Sequence, residues 1–177
     1  HPVLAILDTK SGKTVREKAF PELGEILNPA WSPNGKTIAF SAMVGGYSDL
    51  YLYDLMADSL RRLTNDQFAD LQPAWSPDGT RIAFVTDRYT TKLPTLAAGS
   101  YGLAILDPAS GSVLGRVPTG QGPHELVVST DGKTAFAANY GTGPAPGQTI
   151  SMIDIATQKE LRRIDVTPLQ RPHGLAF

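Results

Sequence analysis

The run Asn28-Pro29-Ala30-Trp31-Ser32-Pro33-Asn34-Gly35-Lys36-Thr37-Ile38-Ala39-Phe40 returns 44 residues later as Gln72-Pro73-Ala74-Trp75-Ser76-Pro77-Asp78-Gly79-Thr80-Arg81-Ile82-Ala83-Phe84. A degraded copy follows as Pro123-His124-Glu125-Leu126-Val127-Val128-Ser129-Thr130-Asp131-Gly132-Lys133-Thr134-Ala135-Phe136, and a fourth starts at Pro172-His173-Gly174-Leu175-Ala176-Phe177. A second series runs out of phase with the first: Leu4 to Asp8, Leu50 to Asp54, Leu103 to Asp107 and Ser151 to Asp154, each an apolar run ending in aspartate. These aspartates recur at intervals of 46, 53 and 47 residues, close to the roughly 40 to 50 of one propeller blade.

Within one period the local chemistry predicts four short strands and no helix. Pro-x-Trp-Ser opens the first, and Ser-Pro-Asn/Asp-Gly supplies a turn in which Pro presets φ and Gly accepts a positive φ. Ile-Ala-Phe is the second. The apolar run ending in Asp is the third, its carboxylate placed to accept backbone N–H groups of the next turn. The fourth alternates polar residues, as in Leu60-Arg61-Arg62-Leu63-Thr64, which suits an outer, half-solvated strand. The expected fold is therefore all-β, a propeller of four-stranded antiparallel blades of which about three and a half are present. Residues 1–26 form a partial blade, 27–70, 71–120 and 121–168 are blades, and 169–177 begin the next, all as one propeller segment. Because both ends cut a repeat, the chain reads as a fragment of a larger ring, or as one that self-associates through exposed blade edges.

Composition narrows the function. The formal net charge is −1 with both signs scattered along the chain, so there is no basic stripe for nucleic acid. The absence of cysteine excludes disulfides, thiolate metal sites and a cysteine nucleophile. No apolar run approaches the roughly 20 residues of a membrane span. No Gly-x-Ser-x-Gly elbow, phosphate loop or His-Glu-x-x-His helix occurs, so no catalytic residue and no cofactor is assigned.

The Trp-Ser-Pro-Asn/Asp-Gly-x-x-Ile-Ala-Phe repeats, with Asp49-Leu50-Tyr51-Leu52-Tyr53-Asp54 and Leu60 to Asp66 between them, resemble the WD-like propeller of TolB-type proteins over about residues 1–115. The same repeats occur in propellers of prolyl-oligopeptidase-type peptidases. From about Arg116 to Phe177 the flavour changes. Gly122 to Leu126, Ser129 to Gly141 and Ile150 to Asp154 resemble the YVTN repeat of lactonase-like propellers, although Ala138-Asn139-Tyr140-Gly141 departs from its name-giving motif. These resemblances imply a periplasmic or extracellular setting and a role in binding protein or another ligand.

Trp31 and Trp75, repeated per blade, are expected to pack between adjacent blades. Asp8, Asp54, Asp107 and Asp154 read as turn caps rather than an acidic ring. His124 and His173 stand 49 residues apart at equivalent positions, which places both near the mouth of the central channel. With Glu125 they are the candidate ligand-binding residues, and the two histidines are the candidate metal ligands; the alternative is that each imidazole bonds a neighbouring loop. Asp87, Arg88 and Tyr89 lie in the long stretch to Ser100 that breaks the period, and with Tyr140 they are the candidate loop contacts. The loop from Gly141 to Gly147 occupies the corresponding place in the next blade and reads as a flexible or rim segment.

The functional expectation is a non-catalytic binding module for a protein, peptide, glycan or small-molecule ligand in the cell envelope. Two alternatives remain open: a lactonase-like hydrolase using the histidines, and a regulatory propeller of a peptidase whose hydrolase domain lies elsewhere.

Overall fold

The computed structural model describes residues 1–95 and 97–176, and its elements are almost entirely strands. β1 (Val3–Leu7) and β2 (Thr14–Ala19) pair as a two-stranded sheet. Three four-stranded antiparallel meanders follow: β3 (Glu25–Trp31) to β6 (Ser59–Arg62), β7 (Asp70–Trp75) to β10 (Val113–Val117), and β11 (Pro123–Val128) to β14 (Lys159–Asp165). Between lie β4 (Thr37–Val44), β5 (Tyr47–Asp54), β8 (Ile82–Thr86), β9 (Gly102–Leu106), β12 (Thr134–Gly141) and β13 (Pro146–Asp154). The first strands β3, β7 and β11 lie side by side as the inner wall. The result is a partial propeller whose ring is not closed.

The sheets hold together because successive side chains of a strand point to opposite faces. Ile38, Phe40 and Ala42 of β4 pack towards the β1–β2 sheet with Leu4, Phe20, Tyr51 and Tyr53. Ala39, between them, turns the other way and meets Ile82, Phe84, Ala104 and Leu106 of the next blade. Blade by blade the rule repeats, with Ala83, Leu103 and Ile105 meeting Ala135, Ala137 and Ile153. Phe20 stands edge-on to Tyr53, with ring centroids 5.2 Å apart, which orients the first of these interfaces.

The repeated turn is built identically three times. Ser76 Oγ donates to Asp78 Oδ1 at 2.6 Å and accepts the N–H of Arg81 at 2.9 Å, while Gly79 takes a φ of +70° to close the bend. Ser32 with Asn34 and Ser129 with Asp131 make the same contacts. The Ser76 hydroxyl and the Thr80 N–H and hydroxyl hold the Asp78 carboxyl down to about 2. The third-strand aspartates are turn caps as well. Asp54 Oδ1 accepts the N–H groups of Met56 and Ala57, each at 2.8 Å, and Asp8, Asp107 and Asp154 do likewise in their own turns.

Three expectations are corrected. Pro-Ala-Trp closes the inner strand rather than opening it: β3 and β7 start at Glu25 and Asp70, and a register shift falls at the proline in each. The expected first strand over 169–177 is not formed among the described residues, because no neighbouring strand pairs with that segment. The two tryptophans differ in role. Trp75 packs between blades and donates its Nε1–H to Ala30 O at 3.2 Å, whereas Trp31 faces the β1–β2 sheet, which has two strands among the described residues, and stays 51% exposed.

Trp75→Phe is expected to lower stability by about 1 kcal/mol, the net worth of one hydrogen bond between blades. Trp31→Phe should change it by less than about 0.5 kcal/mol, as an exposed site does. Urea unfolding of the two variants checks the difference, and equal penalties would contradict it.

Candidate functional site

The inner strands form a groove of about 530 Å³, walled by Pro29 and Trp31 of β3, Pro73 and Trp75 of β7, and Glu125 to Val128 of β11. Its floor carries a backbone feature shared by β3 and β7. Asn28 and Gln72, each just before the proline, take φ near +50°, and the Gln72 N–H is held by Ser41 Oγ of the preceding blade at 3.0 Å. In β11 the proline sits six residues before the turn serine instead of three, counting Pro123 to Ser129 against Pro29 to Ser32. The register shift then falls at His124, which puts that imidazole on the rim, exposed.

At this rim the structure brings together the three channel-mouth candidates and Tyr140, one of the loop-contact candidates. The rings of His124 and His173 lie 4.7 Å apart, and Tyr140 stands 5.2 Å from the first and 6.2 Å from the second. Glu125 Oε1 is 3.6 Å from His173 Nδ1, and its Oε2 accepts the N–H groups of Gly174 and Leu175, the latter at 3.0 Å. Glu125 is therefore a clamp on the segment after β14. His124 Nδ1 faces the Gln72 amide nitrogen at 3.3 Å, and partial desolvation at the rim, with His173 adding to it, pushes the His124 imidazole below its ordinary value.

Two rim residues escaped sequence reasoning. Arg171 lies with its guanidinium carbon 4.9 Å from the Tyr140 ring centre and donates to Gly143 O at 2.9 Å, and Gln72 reaches across from the neighbouring blade. The available signal for both was position: each precedes a repeat proline and takes a positive φ. The Gly141 to Gly147 stretch is a tight hairpin rather than a loose loop, closed by the Thr142 N–H to Ala145 O at 2.8 Å.

Asp87, Arg88 and Tyr89 lie elsewhere and point inward. Asp87 Oδ1 accepts the Ala69 N–H at 2.9 Å and its Oδ2 accepts the Thr91 hydroxyl at 2.5 Å. Arg88 grips both oxygens of the fully buried Asp70 at 2.9 and 2.7 Å and reaches Asp66 at 3.2 Å, leaving it only 15% exposed. The Tyr89 ring supports the Arg116 guanidinium, 5.0 Å from its centre. These side chains are committed to the scaffold.

Asp49, Asp66 and Asp70 bring carboxylate oxygens within 4.8 Å of one another, an arrangement absent from the sequence-based candidates. Arg62 holds Asp49, and Arg88 bridges the other two, so the three carboxylates are met by two guanidiniums. Burial pushes the Asp70 carboxyl up to about 6 against the opposing pull of Thr86 and Arg88.

A family model described as TolB beta propeller domain matches residues 1–160. No curated protein is similar enough in sequence to register as a relative. Among solved structures, TolB from Acinetobacter baumannii superposes with a TM-score of 0.66 at 25% identity, over 93% of this chain and 37% of that one. Kuenenia stuttgartiensis hydrazine synthase superposes with a TM-score of 0.64 at 19% identity, over 84% of this chain and 38% of that one, a likeness of fold. The chain thus spans well under half the length of either structure.

Arg88→Met removes the cation that neutralises Asp70. The expected penalty is about 3 kcal/mol at pH 8. It should shrink towards pH 5, because a carboxyl already raised from 3.8 to about 6 takes a proton there. The native protein is expected to follow the same sign: the stability tied to protonated Asp70 is complete below about 3.8 and lost as pH rises through about 6. Urea unfolding at both pH values measures this, and a pH-independent penalty would refute the linkage.

Proposed function

This chain belongs to the TolB β-propeller family, and from that premise we propose that it is a non-catalytic binding module that holds an extended segment of a protein partner against its inner strands. The groove carries the reading. Pro29, Pro33, Pro73 and Pro77 alternate with Trp31 and Trp75 along its wall, a rigid aromatic and proline surface of the kind that docks extended peptides with little loss of side-chain freedom. Trp31, half exposed at the groove edge, is the natural anchor, since aromatic side chains carry a large share of binding energy at interfaces. The polar end of the groove, with Gln72 and Glu125, fixes the direction of the bound segment.

The setting we propose is the periplasm or another exported compartment, supported by the family. The YVTN-like character of the third blade supports a second reading, a lactonase-like hydrolase, and the convergence of His124, His173 and Tyr140 is the observation in its favour. Against it, His124 contacts an amide and His173 a carboxylate that is already holding backbone N–H groups, so neither activates a nucleophile among the described residues.

Intrinsic fluorescence reads the groove directly, because Trp31 and Trp75 are the only tryptophans in the chain. Titration with pools of extended, proline-containing peptides is expected to give a saturable change, weakened at least tenfold by Trp31→Ala with the fold intact by circular dichroism. Absence of saturable binding, or full affinity in Trp31→Ala, overturns the groove as the site. Turnover of a lactone that is lost in His124→Gln would favour the hydrolase.

A further inference from the structure

The rim holds two of the chain's three histidines, and neither serves the core. His124 is exposed and the His173 side chain is 55% exposed. In each ring the Nδ1 faces a protein group, the Gln72 amide at 3.3 Å and Glu125 Oε1 at 3.6 Å. Both Nε2 atoms are without a protein partner among the described residues.

Two imidazoles that share one zinc-class ion, with metal–nitrogen bonds of about 2.0–2.1 Å and an angle of roughly 90–109° between them, place their ring centres about 4.5–5.2 Å apart. The rings of His124 and His173 are 4.7 Å apart. We propose that His124 and His173 form a two-imidazole site for a divalent zinc-class cation, which fastens the segment after β14 to the inner strand β11.

The groups behind the rings fit this role. Imidazole bound through Nε2 carries its proton on Nδ1 and needs an acceptor there, a duty most often taken by a carboxylate or carbonyl. Glu125 stands in that position for His173 and is itself pinned by the Gly174 and Leu175 N–H groups. For His124 the partner is Gln72, whose Oε1 is buried with no hydrogen bond. Half a turn of that amide puts the oxygen where the nitrogen now is, facing Nδ1, and gives the imidazole N–H an acceptor. Arg171 does not compete, because its guanidinium lies over Tyr140 and bonds Gly143 O. Solvent and exogenous ligands complete the coordination. The inference does not depend on a peptide in the groove.

The test is calorimetric titration of the whole chain with zinc chloride in a non-coordinating buffer, followed in parallel by the imidazole ring resonances. The expected result is one equivalent bound, with His124 and His173 signals shifting together and residues 171–176 gaining protection from amide exchange. His124→Gln and His173→Gln should each weaken binding at least tenfold, and His1→Gln should leave it unchanged. Both rim residues are outside the core, so the variants remain folded, which thermal melting verifies. No saturable binding, unchanged affinity in either rim variant, or a shift confined to His1 overturns the proposal.

Discussion

Everything in this fold depends on sheets packed face to face, the two middle ones buried on both faces, which the alternation of a strand makes possible. Ile-Ala-Phe in β4 and β8 sends the large pair towards the preceding sheet and the small residue towards the following one. Phe40 and Phe84 are fully buried, and each removes enough apolar surface to contribute roughly 2–3 kcal/mol. The third blade reverses the sizes. Ala135 and Ala137 face the second blade, and the volume is made up from the other side by Leu103, Ile105 and Val117 together with Ile153. One packing rule thus tolerates two kinds of repeat.

Polar seams along the edges fix the angle between sheets that apolar contact alone leaves free. Arg16 donates to Leu55 O at 2.6 Å, Arg61 to Ala109 O at 3.2 Å, and Arg81 to Ile155 O at 3.1 Å, each crossing to the next blade. A guanidinium satisfies carbonyls at the turns that would otherwise depend on water, and its planar donors make the contact directional. Where the last strands of the first two sheets carry Arg16 and Arg61, β10 has Gly115, and the end of the Gln158 side chain lies 2.7 Å from where a Gly115 Cβ would be.

The fold was legible because its signals are local and repeat. Proline, glycine and aspartate at fixed offsets report turns, and those turns formed with the same hydrogen bonds in each blade. Contacts between residues far apart in sequence left no such trace. Nothing in the spacing of Asp49, Arg62, Asp66, Asp70 and Arg88 announces a buried charge network, and Arg88 read as a loop residue because its neighbours form a loop. Trp31 and Trp75 are identical in local sequence and differ only in what the preceding sheet offers them. At the rim, His124 and His173 were singled out by their position in the repeat and lie with ring centres 4.7 Å apart, while Gln72 and Arg171, one from another blade and one from the segment after β14, required the coordinates.

The displacement of proline in β11 is the step that links the two features of this surface. With proline three residues before the turn serine, as in β3 and β7, the irregular part of the inner strand lies within the groove and is lined by Pro-Ala-Trp. With proline six residues before it, the irregularity moves outward, and what it presents at the mouth is an imidazole. Glu125 and Leu175 line the groove, and the Glu125 carboxylate also accepts N–H groups of the segment that carries His173, so one side chain belongs to both the wall and the rim.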